Sequence, residues 1–156
     1  VTISVQLGND LLRGAARLNR WASRHASLGV PFAQVRLLAL IDELGPARIS
    51  TLAHADHCSQ PATTTAVQRL EALGWVQRIA DPQDARASLV SLSPAGREAL
   101  DGARAARADV LQPALERLEQ RDPTASGRVQ AAIAVIAELL EVTAHETSGA
   151  SRVRTH

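Results

Sequence analysis

Residues 49–78, ISTLAHADHCSQPATTTAVQRLEALGWVQR, run into residues 81–97, DPQDARASLVSLSPAGR, and together they decide how the chain folds. Ser50, just after Ile49, is a good N-cap for a short helix containing Leu52 and Ala53. Ser59 is a second N-cap. It opens a helix whose Ala62, Ala66, Val67, Leu70 and Leu73 point inward, closed by Gly74. Trp75–Ile79 and Ser88–Leu92 each alternate as strands do, and the turn formers Asp81-Pro82-Gln83-Asp84 lie between them. A hairpin with a longish tip is therefore predicted. Ser93-Pro94 then places an N-cap before a proline at the first helical position, launching a long helix. Two short helices joined by a tight turn and followed by a hairpin make a winged helix-turn-helix.

Helical pattern continues on both sides of this unit. From Gln6 to about Ser27, Leu7, Leu11, Ala15, Leu18 and Ala22 recur every three or four residues as one apolar stripe. Arg13, Arg17, Arg20 and Arg24 repeat with the same spacing on the opposite side. Gly29-Val30-Pro31 ends that helix, and Pro31 starts another that carries Phe32, Val35, Leu38, Ala39 and Ile41. The helix launched at Pro94 reaches about Leu118, and Asp122-Pro123 opens a last one with Val129, Ile133, Ile136, Leu139 and Leu140 on one side. The predicted class is mainly α with a small β-hairpin wing. Residues 31–100 form the winged helix-turn-helix, 1–30 and 101–146 a helical dimerisation region, and the Ser/Gly/Thr-rich 147–156 a disordered tail. Dimerisation is expected because the terminal helices carry apolar stripes that a winged domain of about seventy residues cannot cover.

Composition narrows the function. With 156 residues, 46% of them hydrophobic but only 2% aromatic, the core must be built from aliphatic side chains and alanine. The single Cys58 excludes an intrachain disulfide framework and fits a reducing compartment. No run of 18 apolar residues and no charged leader before an apolar block is present, so a cytoplasmic protein without membrane contact is expected. No nucleophile–base pair, paired carboxylates or glycine-rich phosphate loop is visible, so neither an enzyme nor a cofactor is expected.

The second short helix has the build of a DNA reader. Capping by Ser59 leaves free N–H groups facing outward for a phosphate. Gln60, Thr64, Thr65 and Gln68 lie on the face away from Val67 and Leu70. A Gln amide bonds adenine bidentately, and a Thr methyl packs on that of thymine. Thr63, on the boundary, is expected to reach a phosphate. At the hairpin tip Arg86 suits a narrow minor groove, with Asp84 able to hold its guanidinium as an ion pair; the alternative is that the two simply staple a surface turn.

These two stretches resemble the multiple-antibiotic-resistance-regulator (MarR) family. An Asp-x-Arg wing running into Leu-Val-x-Leu-Ser-x-x-Gly is the more specific part, and the helices on either side follow the family's order, so the resemblance covers nearly the whole chain. It implies a homodimer whose first and last two helices interlock and whose wings embrace operator DNA. The family's wing residues fall on Asp84 and Arg86, and its recognition-helix positions on Gln60 to Gln68, Pro61 included. Two positions depart from the pattern: Thr65, where many members carry Arg, and His57, where a small residue such as Gly is common.

A repressor is thus expected, bound to an inverted-repeat operator and released by a small aromatic or lipophilic ligand. The alternative is a winged-helix protein-interaction module that does not read DNA, favoured by charge: residues 31–100 carry six Arg against seven acids. Residues 1–30 are net +3 and residues 101–146 net −3. Trp21, His25, Phe32 and Arg36 are candidates for holding an aromatic carboxylate by stacking and an ion pair, although packing and surface roles suit each one singly. His54, His57 and Cys58 are close-spaced soft ligands, yet no second pair completes a four-ligand set, so no metal is expected. Cys58 reads as a small buried hydrophobe, and Trp75 as an anchor between the recognition helix and the hairpin.

Overall fold

The computed structural model describes residues 4–152, with side chains as far as residue 144. In chain order the elements are α1 (Val5–His25), α2 (Phe32–Leu44), α3 (Ile49–Ala55), α4 (Gln60–Ala72), β1 (Val76–Asp81), β2 (Asp84–Leu92), α5 (Pro94–Arg121) and α6 (Ala125–Arg152). They group into two compact units, Val1–Leu111 and Gln112–His156. Helix α1 and the first part of α5 fall in the first of these units, with the winged helix-turn-helix.

Within the first unit, α2 supplies Val35, Leu37, Leu38 and Ile41 to a core completed by Leu52 of α3, Val67 and Leu70 of α4, Val76 and Val90 of the hairpin, and Leu100 and Ala103 of α5. All are aliphatic, and each fully buried Leu or Ile contributes roughly 1.5–3 kcal/mol. Helix α4 ends where the chain needs a left-handed residue. Gly74 sits at φ +71°, its N–H donating to the Glu71 carbonyl at 2.9 Å. Ala62 and Leu73, expected inward, are exposed, so the buried stripe of α4 is the narrower set Thr63, Val67 and Leu70.

Strands β1 and β2 pair antiparallel from Val76↔Leu92 to Ala80↔Ser88, then resume at Asp81↔Asp84. The hairpin is longer and its tip shorter than predicted. Only Pro82 and Gln83 cap it, and Ala85, Arg86 and Ala87 are pushed out of register as a bulge. Ala47, between α2 and α3, exchanges two backbone hydrogen bonds with Val90 at 3.1 and 2.8 Å and so extends the small sheet.

The start of α5 lies directly on the start of β1. Ser93 donates its N–H to the Trp75 carbonyl at 3.0 Å and its hydroxyl to the Gly74 carbonyl at 2.6 Å, and its Oγ accepts the Gly96 N–H at 3.0 Å. Gly96 is buried because nothing larger fits. A Cβ there would stand 1.8 Å from the Trp75 carbonyl oxygen. Asp42 of α2 ties the same helix down, accepting from Arg97 and Arg104, both at 2.9 Å. The two arginines, Arg104 first, hold its carboxyl below the usual range.

In the second unit Asp122 accepts from the hydroxyl and N–H of Thr124 and from Arg128, and these bonds depress its pKa. The backbone of α6 stays helical through residues 147–152, where the sequence predicts a disordered tail. No proline interrupts this stretch, and extending a helix costs far less than nucleating one. Residues 153–156 of that predicted tail lie outside the described residues.

Candidate nucleic-acid interface

The turn between α3 and α4 is tight because one residue takes a left-handed conformation. That residue is His57, at φ +52°, the one non-glycine of positive φ among the described residues. Its N–H donates to the His54 carbonyl at 3.2 Å and that of Cys58 to the Ala53 carbonyl at 3.0 Å. Cys58 is exposed, contrary to its sequence reading, and its thiol donates to Asp56 Oδ2 at 3.3 Å. Asp56 also receives Arg36 of α2 at 3.0 Å. The guanidinium expected to hold a ligand thus serves the helix-turn-helix.

Ser59 caps α4 as predicted, its Oγ accepting the Ala62 N–H at 3.3 Å. Gln60, Pro61, Thr65 and Gln68 are exposed along one side of α4, and Thr64 is half-buried. The hydroxyls of Thr64 and Thr65 donate back to the Gln60 and Pro61 carbonyls at 2.8 and 3.1 Å. Each oxygen can still accept, and each methyl still offers an apolar contact. Thr63 does not reach the surface. It is buried, and its hydroxyl donates to the Ser59 carbonyl at 3.1 Å, because its position lies four residues before the core side chain Val67. A phosphate contact from Thr63 is therefore excluded.

The wing corrects another expectation. Asp84 does not pair with the Arg86 guanidinium. Its Oδ1 accepts the Arg86 backbone N–H at 3.0 Å, and its Oδ2 lies 3.8 Å from Arg48. A two-residue reach from carboxylate to backbone N–H is an Asx turn. It shapes the bulge and leaves the Arg86 side chain exposed with no partner among the described residues. What anchors the wing is Arg48, the residue before α3. Its Nε donates to Asp81 Oδ2 at 2.7 Å. Asp81 is buried and also accepts the Gln83 N–H at 2.9 Å. That N–H and then Arg48 hold its carboxyl below the ordinary 3.8. Sequence reasoning missed Arg48 because no spacing rule links a residue before one helix to a hairpin thirty-three positions later.

Arg69 was missed as well. It is exposed on α4 beside Gln68 and Thr65, unpaired among the described residues, and its place one step beyond the polar run was the available signal. Of the six arginines in residues 31–100, Arg36, Arg48, Arg78 and Arg97 form ion pairs within the fold, the third with Glu71 at 2.8 Å. Arg69 and Arg86 do not, and among residues 31–100 they are the guanidiniums left free for an anion.

The four candidates for a ligand site come together only in part. Trp21 stacks on His25 with ring centroids 4.7 Å apart, and the His25 Nδ1 lies 2.8 Å from the Trp21 carbonyl. Phe32 is exposed on α2, and Arg36 is engaged by Asp56. An open hollow of about 540 Å³ on α1 includes Trp21 but lies among Arg17, Arg20 and Arg24. Among the described residues no group of three His, Cys, Asp or Glu side chains is placed to hold a metal ion. No described helix is long and apolar enough to cross a membrane.

Comparison with known proteins places this geometry. A family model described as "MarR family" matches residues 32–88. The chain is 30% identical over 118 residues to an HTH-type transcriptional regulator, MT0903.1, of Mycobacterium tuberculosis (strain CDC 1551 / Oshkosh), covering 75% of this chain and 82% of that protein. It is 36% identical over 84 residues, 54% of each chain, to the HTH-type transcriptional regulator YxaD of Bacillus subtilis. Among solved structures, a transcriptional regulator of Pseudomonas aeruginosa PA01 superposes with a TM-score of 0.72 at 28% identity, over 88% of this chain and 94% of that one. The apo form of wild-type MarR from E. coli shares the fold, with a TM-score of 0.57 at 22% identity over 92% and 98% of the two chains.

Proposed function

The chain belongs to the MarR family of DNA-binding transcription regulators, and on that premise we propose that it is a dimeric repressor, bound to an inverted-repeat operator and released by a small aromatic or lipophilic ligand. One observation carries the reading. Gln60, Pro61, Thr65 and Gln68 stand exposed on α4 while the wing tip presents Arg86 with its guanidinium unspent. In a dimer, two such heads about 34–36 Å apart meet successive major grooves on one side of the duplex, with each Arg86 in the flanking minor groove.

Dimerisation is supported by the apolar surface the lone chain leaves uncovered, including Leu7 and Leu18 of α1 and Ile133 and Leu140 of α6. Ligand release is a population shift. The ligand need only bind better to a wing separation that does not fit one turn of DNA. The Trp21–His25 end of α1 is the place from which such a ligand would be sensed. The protein then acts on DNA in the cytoplasm.

The test is an electrophoretic mobility shift with the DNA upstream of the protein's own gene, competed by unrelated duplex. A specific band that retreats when an aromatic acid is added, with quenching of Trp21 fluorescence, is the expected result. Binding indifferent to sequence would overturn operator recognition, and a band unmoved by every aromatic or lipophilic compound tried would remove the ligand.

A further inference from the structure

His57 occupies a backbone position that glycine would fill with less strain. Its φ of +52° lies in the left-handed region, where a Cβ crowds the main chain, and no other non-glycine among the described residues adopts it. The turn needs that conformation, yet nothing in the turn needs an imidazole. The bonds that close it run from the His57 N–H to the His54 carbonyl and from the Cys58 N–H to the Ala53 carbonyl, all main chain. The ring itself is exposed and has no partner among the described residues. A strained residue whose side chain the fold leaves unused points to a role outside the fold.

Its place beside α4 says what the ring can meet. His57 stands three residues before Gln60, so their Cα atoms are at most about 11 Å apart. A major groove is about 12 Å wide and bounded on both sides by phosphates. With Gln60 at a base edge, the chain leading back to His57 passes that wall within those three residues. The neighbouring charges leave the ring available. Asp56, in the same turn, is occupied by Arg36 of α2 and by the Cys58 thiol, at 3.0 and 3.3 Å. His54 of α3 is exposed, and α4 carries no titratable side chain before Arg69. Since Arg69 and Arg86 are the free guanidiniums of residues 31–100, one more cation in each winged unit is a large addition.

We propose that His57 is a DNA-contact residue whose imidazolium neutralises a backbone phosphate beside the entry of α4, so that affinity for DNA rises as pH falls. This rests on the DNA-reading interface above. A neutral imidazole can donate one N–H to a phosphate oxygen, whereas the protonated ring adds a full charge and releases a counterion. Histidine makes that change between about pH 8 and pH 5. The contact carries no base information, so it strengthens binding to matching and unrelated duplex alike. Two-fold symmetry makes it twice in a dimer.

Fluorescence anisotropy at about pH 8 and about pH 5.5, at equal salt, tests it with two probes, a duplex from upstream of the protein's own gene and an unrelated one. The unaltered protein should bind both about ten-fold more tightly at the lower pH, and its slope of log K against log salt should steepen by about two, one phosphate per head. His57→Gly should lose both effects while melting no lower than the unaltered chain. His57→Arg, charged throughout, should bind at the higher pH at least as tightly as the unaltered chain does at the lower. His54→Gln should keep the pH dependence. A pH dependence that survives His57→Gly, or that vanishes with His54→Gln, overturns the proposal while DNA reading stands. A His57→Gly protein that melts well below the unaltered chain would show that the ring serves the fold and overturn it too. Equal affinity for both duplexes at each pH would remove the operator reading, and no binding to either would remove the interface itself.

Discussion

Substituting alanine at two glycines of α5 should move stability in opposite directions, by amounts that can be worked from the geometry. At Gly96 the added Cβ would lie 1.8 Å from the Trp75 carbonyl oxygen and 2.7 Å from its carbon. An unforced C···O contact is roughly 3.3 Å, so α5 and β1 must part by about 1.5 Å. They are held together there by the bonds from the Ser93 N–H and hydroxyl to the Trp75 and Gly74 carbonyls, at 3.0 and 2.6 Å. Losing one or both costs about 1 kcal/mol each, and forced packing adds roughly 1–3 kcal/mol. Against this, alanine gains at most about 1 kcal/mol over glycine in a helix. The expected net loss for Gly96→Ala is about 1–4 kcal/mol. For a chain of this size that lowers Tm by roughly 2–15 °C. Gly102, further along the same helix, is exposed, and a Cβ there meets nothing within 4 Å. Gly102→Ala should therefore raise Tm by about 2–4 °C. Thermal unfolding followed by circular dichroism, at one fixed protein concentration, reads both. A Gly96→Ala protein that melts with or above the unaltered chain would refute the close approach of α5 to β1.

Arg86→Ala should weaken specific DNA binding about ten-fold or more, as loss of a groove-inserted guanidinium does, whereas exposed Arg117→Ala in the other compact unit should leave it unchanged. Fluorescence anisotropy compares the two; equal effects would remove the wing from the interface. Arg48→Ala should also reduce affinity although Arg48 need touch no DNA, since it frees the wing from Asp81, and hydrogen exchange at Asp81–Arg86 should rise; unchanged exchange would deny the anchor. With Arg69 and Arg86 as the unpaired arginines of each winged unit, a dimer offers about four cations, so log K against log salt should slope near −4, and Arg69→Ala should reduce that slope by about two; a slope of −8 or steeper contradicts this count. Asp81 has a folded pKa below its ordinary 3.8, so its contribution to stability is complete above that value and is lost as pH falls through the lower folded one. Chemical denaturation midpoints of unaltered and Asp81→Asn proteins should therefore differ by a constant amount from pH 7 to pH 5 and converge only below about pH 3.8; convergence at higher pH would show that Asp81 is not the depressed group.

The sequence discloses this fold where local rules act and hides it where contact is distant. Ser59, Ser93-Pro94 and Gly74 announce helix ends because a cap is a matter of neighbouring atoms, and all are seen at those ends. Thr63 is misread because helical periodicity leaves its angle on the boundary, and which way a boundary residue turns depends on what packs there. Asp84 is expected to hold the Arg86 guanidinium, and it accepts the Arg86 N–H instead. A carboxylate two residues from an arginine can take its side chain or its N–H, and the bulge decides for the N–H. Arg48 leaves no trace, as its partner Asp81 is brought to it only by the folded sheet. For the dimer, the apolar stripes are plain in the pattern, but which surface each one meets is not written in either helix alone.

The allocation of arginines has a consequence for how DNA would be read. In the winged unit four guanidiniums fix geometry: Arg36 the turn, Arg48 the wing, Arg78 the end of α4 against the hairpin, and Arg97 the start of α5. Each cation held by a carboxylate is lost to phosphate neutralisation, so non-specific attraction to the duplex is reduced. The same pairs hold the α4 face and the Arg86 bulge in position before DNA arrives, which lowers the ordering cost of binding. A regulator built this way gives up general affinity but keeps its preference for a matching site. A rigid reading head is also easily disarmed: if the two heads are moved apart, each has only the unpaired Arg69 and Arg86 left to hold the DNA.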